Sequence, residues 1–420
     1  MKREELQKLD QEQLIDIIFN LLERVDKLEH KLNAYENPHT PSSKQRKKNT
    51  EHEQNKPRFP GKPPGSLGGG IEIPPADVTE KHTLSECSEG HQNLEYRGMR
   101  TQRVIDFPAK PLLVTEHQMF RYFCPCCDIL LEATGPRDVY GPHLRSAVTI
   151  LKNLTLSCQK IADFFRQLGA PTLSAAEVQH IIGEFADKLE KPREKYLQEA
   201  LKNNFLHADE TGMRRDGKNQ QVWGIFTKFI SILTATAGRG RKYFQEIVGD
   251  YKGILVRDGY AAYDEYVSQR CWAHLLRESR KYAEKNKEIE VQYIRVKKIY
   301  EQMKEMLGKS PGEEAITKVK TEFADVITCL NAIRKGRKLA VHLKNGGEEW
   351  FTALYHSNVP LENNHAERGL RHIVLHRKMM GCYRNEKGKK FIDNVISVLQ
   401  TWKLQEKNIF QELCLVATWT

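Results

Sequence analysis

The chain has 420 residues and a formal net charge of +11, with 39% hydrophobic and 29% charged residues, which fits a soluble multidomain protein with an apolar core. No run of about 18 apolar residues occurs, and the charged start Met1–Glu5 does not resemble a secretory leader, so we expect a cytoplasmic protein with no membrane partner. The positive charge favours a polyanionic partner such as nucleic acid.

Residues 1–35 are predicted to form a coiled-coil helix. Leu14, Leu21, Leu28 and Tyr35 recur every seven residues, which is the spacing of an apolar seam between helices. We therefore expect a homodimer or a higher oligomer. The alternative is a helix that packs on its own protein.

Residues 36–77 are predicted to be a flexible basic linker. Five prolines and five glycines fall between positions 40 and 70, so this segment cannot bury enough apolar surface to order itself. It either touches DNA phosphates or serves only as a tether.

Residues 78–135 are predicted to be a small zinc-binding module, because soft ligands occur in two short clusters of a chain expected to be cytosolic. Strand-like runs connect the clusters: 103–107, 112–114 and 118–123. The four ligands expected to hold one Zn²⁺ are Cys87, His91, Cys124 and Cys127. Cys126 is a rival ligand, and the alternative to a zinc site is a set of free buried thiols.

Residues 136–203 are predicted to be helical. A helix over 159–168 is followed by the break Gly169-Ala170-Pro171, and Ser174 with Glu177 three residues later forms a capping box that opens a second helix. Helix, short turn and helix fit a helix-turn-helix DNA reader. An ordinary helical hairpin fits equally well.

Residues 204–284 are predicted to be the first part of a ribonuclease-H-like core, with a mixed sheet and helices. Three strands, a helix and a fourth strand are expected in turn: 205–211, 222–228, 230–237, 239–248 and 253–258. Asp209 lies on the first strand and Asp258 ends the fourth. Because these strands are neighbours in such a fold, we expect the two carboxylates to meet.

A third carboxylate is expected in the segment after Pro360, which is predicted to be a helix. Asn363, Glu367 and Arg371 are spaced four apart and so share one face, and Arg368 adds a second guanidinium near the carboxylate. Such a set suits DNA phosphates and two Mg²⁺ ions, which activate an attacking oxygen and stabilise a departing one. The alternative is a solvated face with Glu–Arg pairs.

Between the two halves of the core, residues 285–355 are predicted to be a helical insertion. The basic cluster Arg334–Lys338 within it either clamps DNA or is only solvated. Residues 356–420 are expected to complete the core with C-terminal helices. The fold class predicted for the whole chain is therefore multidomain α+β.

Five segments occur in an order that resembles the transposases of the insertion sequence 66 family. They are His207–Thr211, Asp258–Tyr263, Cys271–His274, Asn363–Arg368 and Arg377-Lys378. The resemblance implies that Asp209, Asp258 and Glu367 are catalytic Mg²⁺ ligands. It also implies a mobile element that encodes accessory proteins.

Two positions depart from the family pattern, and two side chains near the motifs allow more than one interpretation. Family members more often have a second C-x-x-C where this chain has Cys87 and His91, and His372 stands where proline is usual. Glu210 is a rival of Asp209, but adjacent strand residues face opposite ways. His274 either lies near the active site, in contact with phosphate, or packs at a helix start.

The function predicted from the sequence is that of a nucleoid-associated DNA transposase that binds the terminal inverted repeats of its element and target DNA. Cleavage and strand transfer are expected to use two Mg²⁺ ions. The residues expected to contact DNA are His274, Arg368, Arg371, Arg377 and Lys378. The alternatives are a nuclease of the same fold that does not join strands, and a zinc-dependent DNA-binding regulator with an inactive core.

Overall fold

The computed structural model describes residues 75–76, 79, 81, 101, 110–126, 128–136, 138–170, 172–309 and 311–418. The chain divides into Met1–Ile105 and Asp106–Thr420, and every helix and strand below belongs to the second unit. Among the described residues, no helix is long and apolar enough to cross a membrane.

Several predicted features of the N-terminal third lie outside the described residues. They include the coiled coil over 1–35, nearly all of the linker, and the ligands Cys87, His91 and Cys127. Cys124 has a described backbone, but its side chain is not described. The coiled coil and the zinc site therefore stay predictions.

A β-hairpin opens the described part of the second unit. Strand β1 (Arg121–Cys124) pairs antiparallel with β2 (Ile129–Glu132), and an ion pair of 2.7 Å joins Arg121 to Glu132 across it. The strand expected over 112–114 is wrong: this segment has no ladder partner among the described residues, and the side chains of Leu113 and Val114 are exposed. Apolar, branched residues favour a strand only where a second strand can pair with it.

Four helices follow, and the first three pack into one apolar core with the C-terminal helices. They are α1 (Pro142–Asn153), α2 (Cys158–Gln167), α3 (Ala175–Lys188) and α4 (Glu190–Ala200). The predicted cap at Ser174 is present, since its side chain accepts a hydrogen bond of 3.1 Å from the N–H of Glu177. The break before it contains Gly169, whose φ of +102° is a conformation that glycine adopts at no steric cost.

A mixed sheet with the strand order β5-β4-β3-β6-β7 forms the centre of the unit. Its strands are β3 (Phe205–Arg215), β4 (Lys218–Phe226), β5 (Ser231–Thr236), β6 (Ile254–Arg257) and β7 (Ser268–Arg270), with helix α5 (Arg241–Val248) between β5 and β6. The first three strands are antiparallel, and β6 and β7 run parallel to β3. This arrangement is compatible with a ribonuclease-H-like core.

Helices fill the segment between the sheet and the last part of the chain. They are α6 (Trp272–Ala283), α7 (Lys287–Met306), α8 (Glu313–Ala332), α9 (Arg337–Gly346) and α10 (Thr352–Tyr355). They build a second apolar core around Trp272, Phe323 and Trp350. Glu349 joins this helical part to the sheet, because its carboxylate pairs with Arg257 at 2.7 Å and with Arg270 at 2.6 Å.

The chain ends in helices that return to the sheet. They are α11 (Asn364–Met380), α12 (Glu386–Lys390), a π-helical turn (Phe391–Ile396), α13 (Ser397–Leu404) and α14 (Ile409–Ala417), with the short strand β8 (Cys382–Tyr383) beside the end of β3. Three side chains spaced four apart accept hydrogen bonds of 2.7–3.0 Å from alternate N–H groups on the outer edge of β5. The pairs are Asp393 with Ala235, Ser397 with Leu233, and Thr401 with Ser231.

Candidate active site

Asp209 and Asp258 lie at the same level on neighbouring parallel strands. The register of β3 and β6 pairs His207 with Val256. The residues two positions further along, Asp209 and Asp258, are therefore also level with each other. Neighbouring strands are about 4.8 Å apart. The sheet therefore brings together two carboxylates that are far apart in sequence, as expected for these two strands.

Helix α11 covers the face of the sheet on which Asp209 lies. Asp209 lies opposite Gly224 of β4. A Cβ atom at Gly224 would stand 3.0 Å from the Leu370 side chain of α11. A Cβ atom at Gly369 would meet the ring of Phe226. The two glycines let the helix approach the strands closely, and this places Glu367 over the same face.

Asn363 fixes the start of α11 on the sheet. Its side chain is fully buried, donates a hydrogen bond of 2.8 Å to the Ala208 carbonyl, and lies 2.9 Å from His207 Nδ1. The expectation that Asn363 shares one helix face with Glu367 and Arg371 is wrong. Asn363 is the N-cap, with a non-helical φ of −99° and ψ of 21°, so its side chain leaves the helix in another direction.

Glu367 lies one turn into α11 and is held by two side chains of α6. Arg277 Nη2 is 2.5 Å from Glu367 Oε1, and His274 Nε2 is 3.4 Å from the same oxygen. His274 is thus placed beside the third carboxylate rather than in remote packing. Sequence reasoning missed Arg277, although its position three residues after His274 puts it on the same face of the helix.

The carboxylates repel one another in a partly buried site. Burial raises the pKa of Asp209 to about 7, and the neighbouring carboxylates of Glu210, Asp258 and Glu367 also raise it. Burial lowers the pKa of His274, as does Arg277, whereas Glu367 and Asp258 act in the opposite direction. A cation among these groups would relieve the repulsion.

The donor atoms fit a hard divalent cation. Asp209, Asp258 and Glu367 offer carboxylate oxygens, which are the ligands that Mg²⁺ prefers. Among the described residues, no three His, Cys, Asp or Glu side chains already stand together as a metal-binding group. Oε1 of Glu367 is instead paired with Arg277, so a cation held by all three carboxylates would compete with this ion pair.

Basic side chains on α11 extend away from the site. Arg368, Arg371 and Lys378 are exposed, and none of them forms an ion pair with another described residue. Their charges are available to a polyanion that lies along the helix.

A model of the family described as "Transposase IS66 family" matches residues 137–390, which is more than half of the chain. The chain belongs to this transposase family. A comparison with curated proteins finds no match. The matched range contains Asp209, Asp258 and Glu367 and excludes the predicted coiled coil, the predicted linker and all four predicted zinc ligands.

In this transposase, Glu210 lies on the opposite face of β3 from Asp209. Its side chain is only 2% exposed, and Arg239 Nη2 is 2.6 Å from its carboxylate. The hydroxyl of Tyr263 donates a further hydrogen bond to it. The charge of Glu210 is therefore compensated within the protein.

Two other side chains of the transposase have structural partners. Arg377 donates a hydrogen bond of 2.5 Å to the Gly212 carbonyl, which braces α11 against β3. Glu362, the other acidic residue of the motif, accepts hydrogen bonds from Tyr300 and Asn364.

Proposed function

We propose that this transposase binds the ends of its mobile element and catalyses Mg²⁺-dependent cleavage and strand transfer, with Asp209, Asp258 and Glu367 as the catalytic carboxylates. The observation that carries the proposal is the convergence of two level aspartates and a helical glutamate on one covered face of the sheet. The pKa of Asp209, which burial and these carboxylates raise to about 7, supports their proximity.

The three carboxylates have the composition that two-metal phosphoryl transfer needs. Bound Mg²⁺ would activate the attacking oxygen and stabilise the leaving oxygen of the phosphodiester. Asp209 and Asp258 would hold their ligand oxygens on rigid strands. Glu367 would add its oxygens from α11, whose start is fixed to β3 by Asn363.

Binding of element ends and target DNA is assigned to the exposed basic groups beside the site. Arg368 and Arg371 stand one and four residues after Glu367, so their guanidinium groups would position phosphates near the carboxylates. Lys378 would extend this contact along α11. His274, beside Glu367, would meet the phosphate closest to the reaction.

The triad is tested by nicking of an element-end duplex in Mg²⁺, with a target plasmid present to report joining. Asp209→Asn, Asp258→Asn and Glu367→Gln should each reduce cleavage by roughly a thousandfold or more while DNA affinity stays within a few-fold, because each removes charge but keeps shape. Double variants should be little worse than single ones.

Glu362→Gln is the matched control, since it changes a glutamate of the same motif whose partners are Tyr300 and Asn364. It should keep most of the cleavage activity. Robust nicking by Glu367→Gln, with loss in Glu362→Gln, would show that the assignment of the glutamate is wrong. Nicking without joining would reduce the proposal to a nuclease.

We further propose that Cys87, His91, Cys124 and Cys127 bind one structural Zn²⁺. The support is that β1 ends at Cys124 and the tight connection to β2 carries the C-x-x-C pair. Metal analysis of the purified protein should find about one zinc per chain. Stoichiometric zinc in a Cys124→Ser, Cys127→Ser double variant would rule out this ligand set.

A further inference from the structure

Arg277 is a charged residue beside the proposed active site that no sequence motif singled out. We propose that Arg277 alternates between Glu367 and a DNA phosphate, so that this one ion pair couples divalent-metal binding to DNA binding. The inference rests on the proposed function, because it requires Glu367 to be a metal ligand. Arg277 is assigned as a DNA-binding residue that acts only after the metal has bound.

The contacts of Arg277 place its guanidinium on one carboxylate oxygen of Glu367. Its Nη2 lies 2.5 Å from Glu367 Oε1, and its Nε donates a hydrogen bond of 3.3 Å to the Ala273 carbonyl of its own helix. The Arg277 side chain is 50% exposed and that of Glu367 is 34% exposed, so both can reach solvent. Arg277 is free to turn outward once Glu367 is engaged elsewhere.

The ion pair is not needed to hold α6 against α11. The N–H of Trp272 donates a hydrogen bond of 2.9 Å to the Leu361 carbonyl, and the N–H of Asn363 lies 3.1 Å from Cys271 Sγ. These contacts are buried and join the starts of the same two helices. A role beyond packing is therefore left for the more exposed pair of Arg277 and Glu367.

Competition between like charges favours the exchange. A cation bound to Glu367 would stand beside the guanidinium of Arg277, which lies 2.5 Å from Oε1, and the two positive charges would repel each other. When the cation takes Glu367, the released guanidinium is left beside a site that binds DNA. Phosphate is a preferred partner of arginine because its oxygens match the planar set of donors.

Arg277 differs in this respect from the basic residues of α11. Arg368 and Arg371 are exposed and have no ionic partner among the described residues, so they can bind DNA with or without metal. Arg277 is neutralised until metal binds. It should therefore supply the part of the DNA affinity that depends on the divalent ion.

The first experiment titrates Mg²⁺ into the full chain by calorimetry. Arg277→Ala should bind Mg²⁺ about fivefold more tightly than the native chain, which is the factor that a partly exposed ion pair contributes at most. Arg280→Ala is the matched control, because Arg280 lies on the same helix and pairs with Glu284 at 3.0 Å. It should leave the Mg²⁺ affinity unchanged.

The second experiment measures binding of a pre-cleaved element-end duplex by fluorescence anisotropy, in EDTA and in Mg²⁺. Arg277→Ala should match the native chain in EDTA and bind several-fold more weakly in Mg²⁺. Glu367→Ala should gain affinity in EDTA because it frees Arg277. The double variant should lose that gain, whereas a gain that persists would come from the removed negative charge alone.

Two results would overturn the coupling: an Mg²⁺ affinity that Arg277→Ala does not change, or a loss of DNA affinity that is equal with and without metal. Should Arg277→Ala fail to fold, Arg277→Gln gives the same readings. If Glu367→Ala leaves the Mg²⁺ affinity unchanged, the proposed function itself fails. If Glu367 behaves as a metal ligand and Arg277 has no effect, only the coupling fails.

Discussion

The two faces of strand β3 surround neighbouring carboxylates with different partners. Glu210 is sealed between Arg239 and Tyr263, whereas Asp209 accepts a hydrogen bond of 2.9 Å from the backbone N–H of Glu210 and pairs with no cationic side chain among the described residues. Burial raises the pKa of both groups, but neighbouring carboxylates add to the rise mainly at Asp209. Burial alone does not identify a functional acid; a charge that the protein leaves uncompensated does.

The largest effect on stability is expected from the loss of the ion pair between Arg239 and Glu210. Arg239→Ala should lower the free energy of unfolding by about 3 kcal/mol, because it leaves the buried carboxylate of Glu210 with only Tyr263 as a partner. Urea unfolding at pH 8 measures the change. Arg241→Ala, which removes an exposed ion pair with Glu265, should cost less than about 1 kcal/mol. Equal losses in the two variants would mean that the buried carboxylate of Glu210 does not depend on Arg239 for stabilisation.

A buried histidine lies at the far end of α11, the helix that covers the Asp209 face of β3. His376 Nε2 lies 3.0 Å from the Asn153 carbonyl of α1, and burial lowers the pKa of His376 to about 4, with His372 and Lys152 acting in the same direction. The unfolded chain therefore takes up a proton at higher pH than the folded one. The stability contributed by neutral His376 is complete above about pH 7 and is lost as the pH falls from about 6.5 towards 4.

His376→Gln should remove this pH dependence. Between pH 7.5 and pH 5, the native chain should lose about 2 kcal/mol of stability through His376, and the variant should lose correspondingly less. Urea unfolding at the two pH values measures the difference. His180→Gln, at an exposed histidine, serves as the control and should keep the native pH dependence. An unchanged pH dependence in His376→Gln would contradict the assignment.

The smallest predicted effect is at Asp209. In metal-free protein at pH 8, Asp209→Asn should raise the free energy of unfolding by about 1–2 kcal/mol. The pKa of Asp209 is raised from 3.8 to about 7, so the cost of ionising it in the fold builds up between these pH values and is complete at pH 8. Glu210→Gln should raise the free energy of unfolding less, because Arg239 and Tyr263 offset part of the burial cost of the Glu210 charge. Thermal unfolding of both variants gives the two changes, and a destabilised Asp209→Asn would contradict the prediction.

The sequence predicts those parts of the site that local patterns determine. Apolar runs and the Asp216-Gly217 turn mark β3 and β4, and the turn residues have the positive φ values, 46° and 76°, of a tight hairpin. The level placement of Asp209 and Asp258 then follows once the two strands are taken as parallel neighbours.

Features that depend on distant partners could not be predicted in this way. Strand β3 was expected to end at Thr211, but its ladder with β4 continues to Arg215, and β8, far along the chain, also pairs with its last two residues. Arg277 finds Glu367 ninety residues later, and Asn363 is buried by contacts with β3. These long-range pairings leave no local periodic pattern in the sequence from which they could be predicted.

The helical cover on the outer edge of β5 protects the sheet from the addition of another strand. An uncovered edge strand invites a strand from another molecule. Here the N–H groups of Ser231, Leu233 and Ala235 are already bonded to Thr401, Ser397 and Asp393. Because these groups are already bonded, a strand from another copy cannot pair with β5. One route to fibrous aggregates at high protein concentration is thereby removed.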